Sequence, residues 1–258
     1  MRAINPNRFP PPLEQRDALF LDFDGTLAEI AISPRKVMVD PRVPALLIQL
    51  ASRLDGAVAV VSGRPLRELV QFLRPFSGAM AGIHGLEWRN ATGTTTSLSP
   101  IPNLDQARRA IVEFASTRPG VVVEDKGSAL AIHYRESPEE GSACRTIARM
   151  VARDPLVVSR GKMVVEIHPD GIDKGRAIQT FIDQPPFQGR RPVYLGDDRP
   201  DEAGFALVNG AGGVSILVGP AFRTVARYRL GGVAETIEWL SRFAFGPSVP
   251  DQRSERTG

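Results

Sequence analysis

Cysteine is almost absent from this 258-residue chain. Cys144 stands alone, which excludes an internal disulfide and suits a reducing compartment. No apolar run is long enough to span a bilayer. Met1 to Pro12 is polar and proline-rich, without the apolar stretch of a secretory leader, so a cytoplasmic protein is expected. An excess of charge is missing too: Lys and Arg number 32 against 29 Asp and Glu. With no basic run and no interleaving of aromatic and basic residues, no nucleic-acid partner is expected. Three phosphate chemistries lack their motifs. There is no Gly-x-x-x-x-Gly-Lys-Ser/Thr loop for a nucleotide. Met150 stands six residues after Cys144, where a cysteine-nucleophile loop needs arginine, and His84 lacks the preceding arginine usual at a histidine nucleophile. The remaining composition, 42% hydrophobic and 24% charged, is that of a globular protein of one or two domains.

What is present centres on Phe20-Leu21-Asp22-Phe23-Asp24-Gly25-Thr26-Leu27. The apolar run Ala18 to Leu21, closed by a Gly25-Thr26 turn signal, reads as a buried parallel strand. Asp22 and Asp24 then emerge at its carboxyl end, where open α/β sheets build their sites. Two acids so close repel unless a cation lies between them. A strand end followed by an ordinary Asp-Gly turn is the bland alternative.

Further along, the spacing predicts a helix over 41–54, a buried strand over 57–61 and a helix over 66–73 with Pro65 in its first turn. Ser62 lies between that strand end and helix start, a place suited to phosphate, or else simply caps the helix. A strand over 78–83, His84-Gly85 and a hairpin over 86–98 turning near Asn90–Gly93 follow. After Pro100 and Pro102 the pattern becomes helix (103–118), strands (121–124, 129–133), helix (138–153) and strands (156–159, 163–167). That is an α+β unit, an antiparallel sheet with helices on one face. The α/β pattern then resumes with a helix over 176–183, a strand over 192–195 ending in Gly196-Asp197-Asp198, a helix over 201–208, a strand over 215–218 and a helix over 233–243. Expected domains are a core over 16–100 and 171–245, an inserted cap over 101–170, a loose tail over 1–15 and a disordered one over 246–258.

The strand ends and one helix start thus carry Asp22 and Asp24, Ser62, Lys174, and Asp197 with Asp198. Converging in one crevice, such carboxylates suit a hard cation, above all Mg²⁺. A lysine and a hydroxyl beside it suit a phosphoryl group. One aspartate is free to attack phosphorus and the other to act as acid, then base.

On these residues the chain resembles the haloacid dehalogenase superfamily: Asp22-Phe23-Asp24-Gly25-Thr26, Ser62-Gly63-Arg64, Lys174-Gly175 and Gly196-Asp197-Asp198 match its four motifs. Within it, Ala81–Glu87, Glu124–Gly127, Ala131–Arg135, Val164–Pro169 and Gly196–Glu202 resemble the trehalose-6-phosphate phosphatase family, over roughly residues 16–243. The resemblance implies a Rossmann-like core with a smaller cap and Mg²⁺-dependent release of trehalose and phosphate from trehalose 6-phosphate. It implies Asp22 as nucleophile, Asp24 as acid/base, and Ser62 and Lys174 on the phosphoryl group. Mg²⁺ falls to Asp22, the Asp24 backbone carbonyl and Asp197, with Asp198 close by. Gly63, Arg64, His84, Lys126, Lys162 and Glu166 become substrate-side candidates for that small molecule. Apart from the resemblance, a monomer without membrane or nucleic-acid partners is expected. Two departures stand out: Pro200 where the family usually has threonine, and His168 where a more basic residue is common.

Alternatives stay open. The same chemistry on another sugar phosphate is one, and a non-catalytic binding or regulatory module is the other. Glu87, Arg89, Asp201 and Glu202 read as solvated rim groups, His133 and His168 as structural, Trp88 and Trp239 as packing, and Cys144 as buried and inert.

Overall fold

Apolar runs without polar alternation form buried parallel strands when helices cover both faces of a sheet. In the computed structural model, which describes residues 8–30, 37–97, 101–161 and 163–246, the runs of this chain do so. The elements are β1 (Asp17–Leu21), α1 (Arg42–Arg53), β2 (Val58–Val61), α2 (Leu66–Phe72), β3 (Ala79–Gly82), β4 (Glu87–Arg89) and β5 (Thr95–Ser97). Then come α3 (Leu104–Ser116), β6 (Val122–Asp125), β7 (Leu130–His133), α4 (Gly141–Val151), β8 (Leu156–Gly161) and β9 (Val164–Pro169). The chain closes with α5 (Lys174–Ile182), β10 (Arg191–Gly196), α6 (Glu202–Gly210), β11 (Val214–Val218), β12 (Tyr228–Leu230) and α7 (Val233–Phe245).

The first sheet has eight strands in the order β12-β11-β10-β1-β2-β3-β4-β5. Neighbours from β12 to β3 are parallel, and β4 and β5 add an antiparallel edge. β1 sits between β10 and β2, with Phe20 opposite Tyr194 on one side and Ala59 on the other. The chain winds outward from β1 in both directions, so the crevice at its carboxyl end is a topological switch point. Phe20 stacks on Phe187 at 5.3 Å, and burying a ring of that size contributes about 1.5–3 kcal/mol. Trp88 meets Phe181 edge-on, and Trp239 is buried in α7, both as packing groups.

The second sheet, β6-β7-β9-β8, is antiparallel. One face packs Leu130, Ile132, Val165 and Ile167 against Leu104, Ile111, Cys144 and Ala148 of α3 and α4, forming a core of its own. Its other face carries the cross-strand row Glu124, Ala131, Glu166, Ser159. A small apolar cluster, Ile83, Leu86 and Ala129 with Ile101 and Ile172, lies where the chain crosses between the sheets. The architecture is a doubly wound α/β core with an inserted α+β cap.

Two differences from the sequence expectation are local. β12 escaped notice because Tyr228–Leu230 is three residues long with an arginine at its centre and no apolar run. Of the stretch read as a loose N-terminal tail, residues 1–7 lie outside the described residues, whereas residues 8–15 lie against the core. There the Arg8 carbonyl accepts from the Arg229 N–H at 2.9 Å, and Leu13 is buried. The C-terminal tail beyond Gly246 also lies outside the described residues.

Candidate active site

β1 is buried along its whole length, and the Asp22 N–H extends the ladder by donating to the Leu195 carbonyl at 2.9 Å. Asp22 is therefore fixed by the sheet itself and is buried. The chain reverses at Gly25, whose φ of +80° favours glycine. A Cβ there would also lie 2.1 Å from Oδ2 of Asp197, so Gly25 makes room for a carboxylate arriving from β10.

Lys174, the first residue of α5, brings its ammonium between two carboxylates: Nζ donates to Asp22 Oδ1 and to Asp201 Oδ1, both at 2.6 Å. Asp173 aims that helix by accepting from the Arg176 N–H. Asp201 is fully buried, in contrast to the solvated reading. The reason lies in the turn Arg199–Asp201: Asp201 Oδ2 accepts the N–H groups of Asp197 (2.9 Å) and Asp198 (3.0 Å), pulling the side chain beneath the loop. The Tyr194 hydroxyl donates to its other oxygen. Pro200 sits in the first turn of that short helix and leaves this network intact. Asp22, Asp197 and Asp201 offer oxygens within 4.8 Å of one another. Asp198 stays outside the cluster, exposed and accepting from the Arg199 N–H.

Burial raises the Asp22 carboxyl well above the usual range, with Lys174 opposing and Asp201 and Asp197 adding to the rise. Asp197 is pushed up to about 7, chiefly by burial and then by Asp201. Burial works against the charged form of Lys174, but Asp201 and Asp22 outweigh it and raise the ammonium above its ordinary value.

Ser62 follows β2 and is buried, its N–H bonded to the Ala81 carbonyl and its Oγ accepting from the Arg64 N–H at 3.2 Å. It does not cap α2. Glu87 takes that place, accepting the Leu66 N–H at 2.8 Å, so Glu87 is a structural group rather than a solvated one. Glu202 is likewise engaged, holding Thr224 and the Val225 N–H, and Arg89 donates to the Gly78 carbonyl. Arg64 lies beside the rings of Phe23 and Phe72 and grips Asp24 with two bonds, Nε to Oδ2 at 2.6 Å and Nη2 to Oδ1 at 2.7 Å. Its Nη1 donates to Glu68. The Asp24 carboxylate thus faces Arg64 and lies outside the acidic cluster of Asp22, Asp197 and Asp201.

The cap reaches the crevice through Lys126 and Glu166. Lys126 Nζ donates to Glu166 Oε1 at 2.6 Å and to the Gly63 carbonyl of the core at 3.0 Å. His84 Nε2 lies 3.6 Å from Glu166 Oε2. Ile83 and His84 both hold positive φ, 46° and 54°, a strained pair of the kind found at functional sites. Gly63 accommodates them, since a Cβ there would lie 2.8 Å from the His84 ring. Burial pushes His84 down. Burial would raise Glu166, but Lys126 and His84 outweigh it and hold the carboxyl well below its ordinary value. Glu124 joins this face, bonded to His133 at 2.8 Å. His168 is buried with Nδ1 on the Pro169 carbonyl, and Cys144 is buried in the cap core. Lys162 lies outside the described residues.

The structure therefore brings together Asp22, Lys174, Asp197, Ser62, Gly63, His84, Lys126 and Glu166, and turns Asp24 to Arg64. It adds Asp201, Tyr194 and Glu124. The first of these had a signal in the Asp197-Asp198-Arg199-Pro200-Asp201 run, since a proline just after a capping aspartate starts a helix and the acid three residues on returns to its N-terminus.

The fold is one shared with haloacid dehalogenase-like hydrolases, and the crevice lies at its switch point. A solved haloacid dehalogenase-like hydrolase from Bacteroides thetaiotaomicron overlays with a TM-score of 0.64 at 18% identity, covering 87% of this chain and 98% of that one. The family model described as Trehalose-phosphatase matches residues 20–231, and the chain belongs to that family. It is 41% identical over 235 residues to the trehalose-6-phosphate phosphatase of Escherichia coli, covering 89% of this chain and 87% of that protein. It is 40% identical over 206 residues to a probable trehalose-phosphate phosphatase of Sinorhizobium fredii, covering 79% and 78%. The C-terminal domain of C. albicans trehalose-6-phosphate phosphatase shares the fold with a TM-score of 0.76 at 21% identity, covering 92% of this chain and 99% of that one.

Proposed function

We propose that this chain hydrolyses trehalose 6-phosphate to trehalose and phosphate through an aspartyl phosphate on Asp22. The carrying observation is the Lys174 ammonium held against a buried Asp22 beneath a cap that lowers Lys126 and Glu166 onto the same crevice. In the first step an Asp22 oxygen bonds to phosphorus as the bond to the sugar oxygen breaks. That oxygen keeps the electron pair and takes a proton from Asp24, which has turned from Arg64 to reach it. In the second step water attacks phosphorus, its proton passes to Asp24, and the bond to Asp22 breaks. Lys174 and Ser62 neutralise and hold the phosphoryl group throughout. Gly63 and Arg64 line its approach, and His84, Lys126, Glu166 and Lys162 are the groups for glucose hydroxyls. Cap closure keeps bulk water out of the first step.

The donor set fits Mg²⁺: Asp22 and Asp197 are hard oxygen ligands whose oxygens lie close together, and burial and the neighbouring Asp201 raise both carboxyls. They and the Asp24 carbonyl would hold the ion, with Asp198 alongside. Asp201 already meets four donors and serves Lys174 instead. Bound there, Mg²⁺ supplies neutralisation of phosphoryl charge. In this reading residues 16–100 and 171–245 form the core and 101–170 the cap of a monomeric cytoplasmic enzyme of trehalose biosynthesis. Its free Cys144 suits that reducing setting.

The test is phosphate release from trehalose 6-phosphate, glucose 6-phosphate, sucrose 6-phosphate and p-nitrophenyl phosphate, with Mg²⁺ and with EDTA. Mg²⁺-dependent preference for trehalose 6-phosphate is expected. Equal activity across the panel would leave the chemistry and remove the sugar.

A further inference from the structure

Tyr194 takes no part in the reaction set out above, yet its hydroxyl ends inside the network beneath it. The side chain projects from β10, fully buried, with its ring 5.4 Å from that of Phe205. Its hydroxyl donates to Asp201 Oδ1, the oxygen that also takes Lys174 Nζ. Glycines keep the space for this arrangement. A Cβ on Gly204 would lie 2.4 Å from the Tyr194 ring, and one on Gly196 would lie 2.3 Å from Asp201 Cγ. A Cβ on Gly175, where α5 approaches α6, would lie 2.8 Å from the Ala203 carbonyl oxygen. A buried phenol is costly unless its hydroxyl is bonded, and packing alone is served equally well by phenylalanine. Burial and Asp201 hold this phenol well above its ordinary value, so it remains a donor.

The ammonium of Lys174 is shared, at equal distances, by Asp22 and Asp201. Any donor that satisfies Asp201 weakens its pull on that ammonium. Remove the hydroxyl, and Asp201 Oδ1 retains Lys174 as its one donor among the described residues, drawing it away from Asp22.

We infer that Tyr194 is a positioning residue for phosphoryl transfer: acting through Asp201, its hydroxyl keeps the Lys174 ammonium on Asp22 and the incoming phosphoryl group. The inference rests on the proposed role of Lys174.

Tyr194→Phe removes one oxygen and leaves the ring. With full-length enzyme and saturating Mg²⁺, kcat on trehalose 6-phosphate should fall about 10–100-fold, the usual cost of losing an outer-shell partner, while KM moves about twofold or less. Inhibition by orthovanadate, a phosphoryl mimic, should weaken by a comparable factor. The decisive arm is the double-mutant cycle: on an Asp201→Asn background, Tyr194→Phe should cost nothing further, because its route runs through Asp201. Multiplicative losses in the double variant, or wild-type kcat and vanadate inhibition in Tyr194→Phe, would overturn the inference. Tyr194→Met, also without the hydroxyl, replaces Tyr194→Phe if that variant does not fold. Unfolding of both assigns the hydroxyl to stability and also overturns it. Lys174→Met separates the two levels. If it retains activity, the role of Lys174 fails; if it is inactive while Tyr194→Phe is unimpaired, only the role of Tyr194 fails.

Discussion

The core crevice and the cap face use the same kinds of side chain in opposite ways. In the crevice, Asp22, Lys174 and Asp201 are buried, and Lys174 donates to both acids at 2.6 Å, each residue placed by the first or last residue of a regular element or by a turn directly after one. On the cap face, Glu124 and His133 stay part-exposed, and Glu124 shares a row with Glu166 only because β7 pairs with β9, which follows it beyond the second cap helix. The first arrangement suits chemistry, which needs charges fixed before substrate arrives. The second suits recognition of hydroxyls, where individual contacts are weaker and loss of one shows as affinity.

Perturbations of the two regions should separate along that line. The largest effect is expected from Asp22→Asn, which removes the carboxylate of the proposed nucleophile and should lower turnover by on the order of 10³-fold or more with the fold intact, checked by kinetics beside circular dichroism. Near-wild-type turnover would show that Asp22 is not the nucleophile. Gly25→Ala comes next. A Cβ at φ +80° and against Asp197 should cost about 1–3 kcal/mol of stability and most of the activity, read by denaturant unfolding and assay together.

Cap substitutions should be milder and different in kind. Lys126→Met and Glu166→Gln should raise KM for trehalose 6-phosphate about 10–100-fold and cost less on p-nitrophenyl phosphate, as expected when buried polar partners of a hydroxyl are lost. Equal losses on both substrates would erase the contrast between the regions.

A pH titration of stability sharpens the comparison. Burial and Asp201 push the Asp197 carboxyl from its ordinary 3.8 up to about 7 in the folded protein. Between those values the native state keeps a proton that the unfolded chain has released, so metal-free protein should lose stability as pH rises through that window and lose no more from this group above it. Asp197→Asn should lack this component, and Mg²⁺, which favours the carboxylate, should suppress it. Thermal unfolding against pH with and without Mg²⁺ decides; a wild-type profile matching that of Asp197→Asn would rule the coupling out. The smallest effect belongs to His133→Gln on the cap, where loss of a part-exposed pair with Glu124 should cost about 1 kcal/mol or less.

Much of this was legible along the chain because its determinants are local. The run Ala18 to Leu21 must be buried, and a strand buried in a parallel sheet delivers whatever follows it, Asp22 and Asp24, to the carboxyl edge. The same holds for Val58 to Val61 and Ser62, and for Pro192 to Leu195 and Asp197. The alternation of two patterns, α/β then α+β then α/β, marked the cap as an insertion. Asp201 was misjudged because its burial depends on two backbone N–H groups that a tight turn directs inward. Glu87 was misjudged because its partner, the start of α2, lies 21 positions earlier in the chain.

The sequence by itself determined which carboxylates, hydroxyl and lysine reach the edge of the sheet, since hydrophobic period and turn chemistry act over a few residues. Only the tertiary structure decided their pairings: Lys174 shared between Asp22 and Asp201, Asp24 turned to Arg64, Lys126 laid on the Gly63 carbonyl, Tyr194 bonded to Asp201. Those choices depend on distances between strands and helices that meet only once both cores have packed, and a charge removed from water selects the partner that packing places within reach.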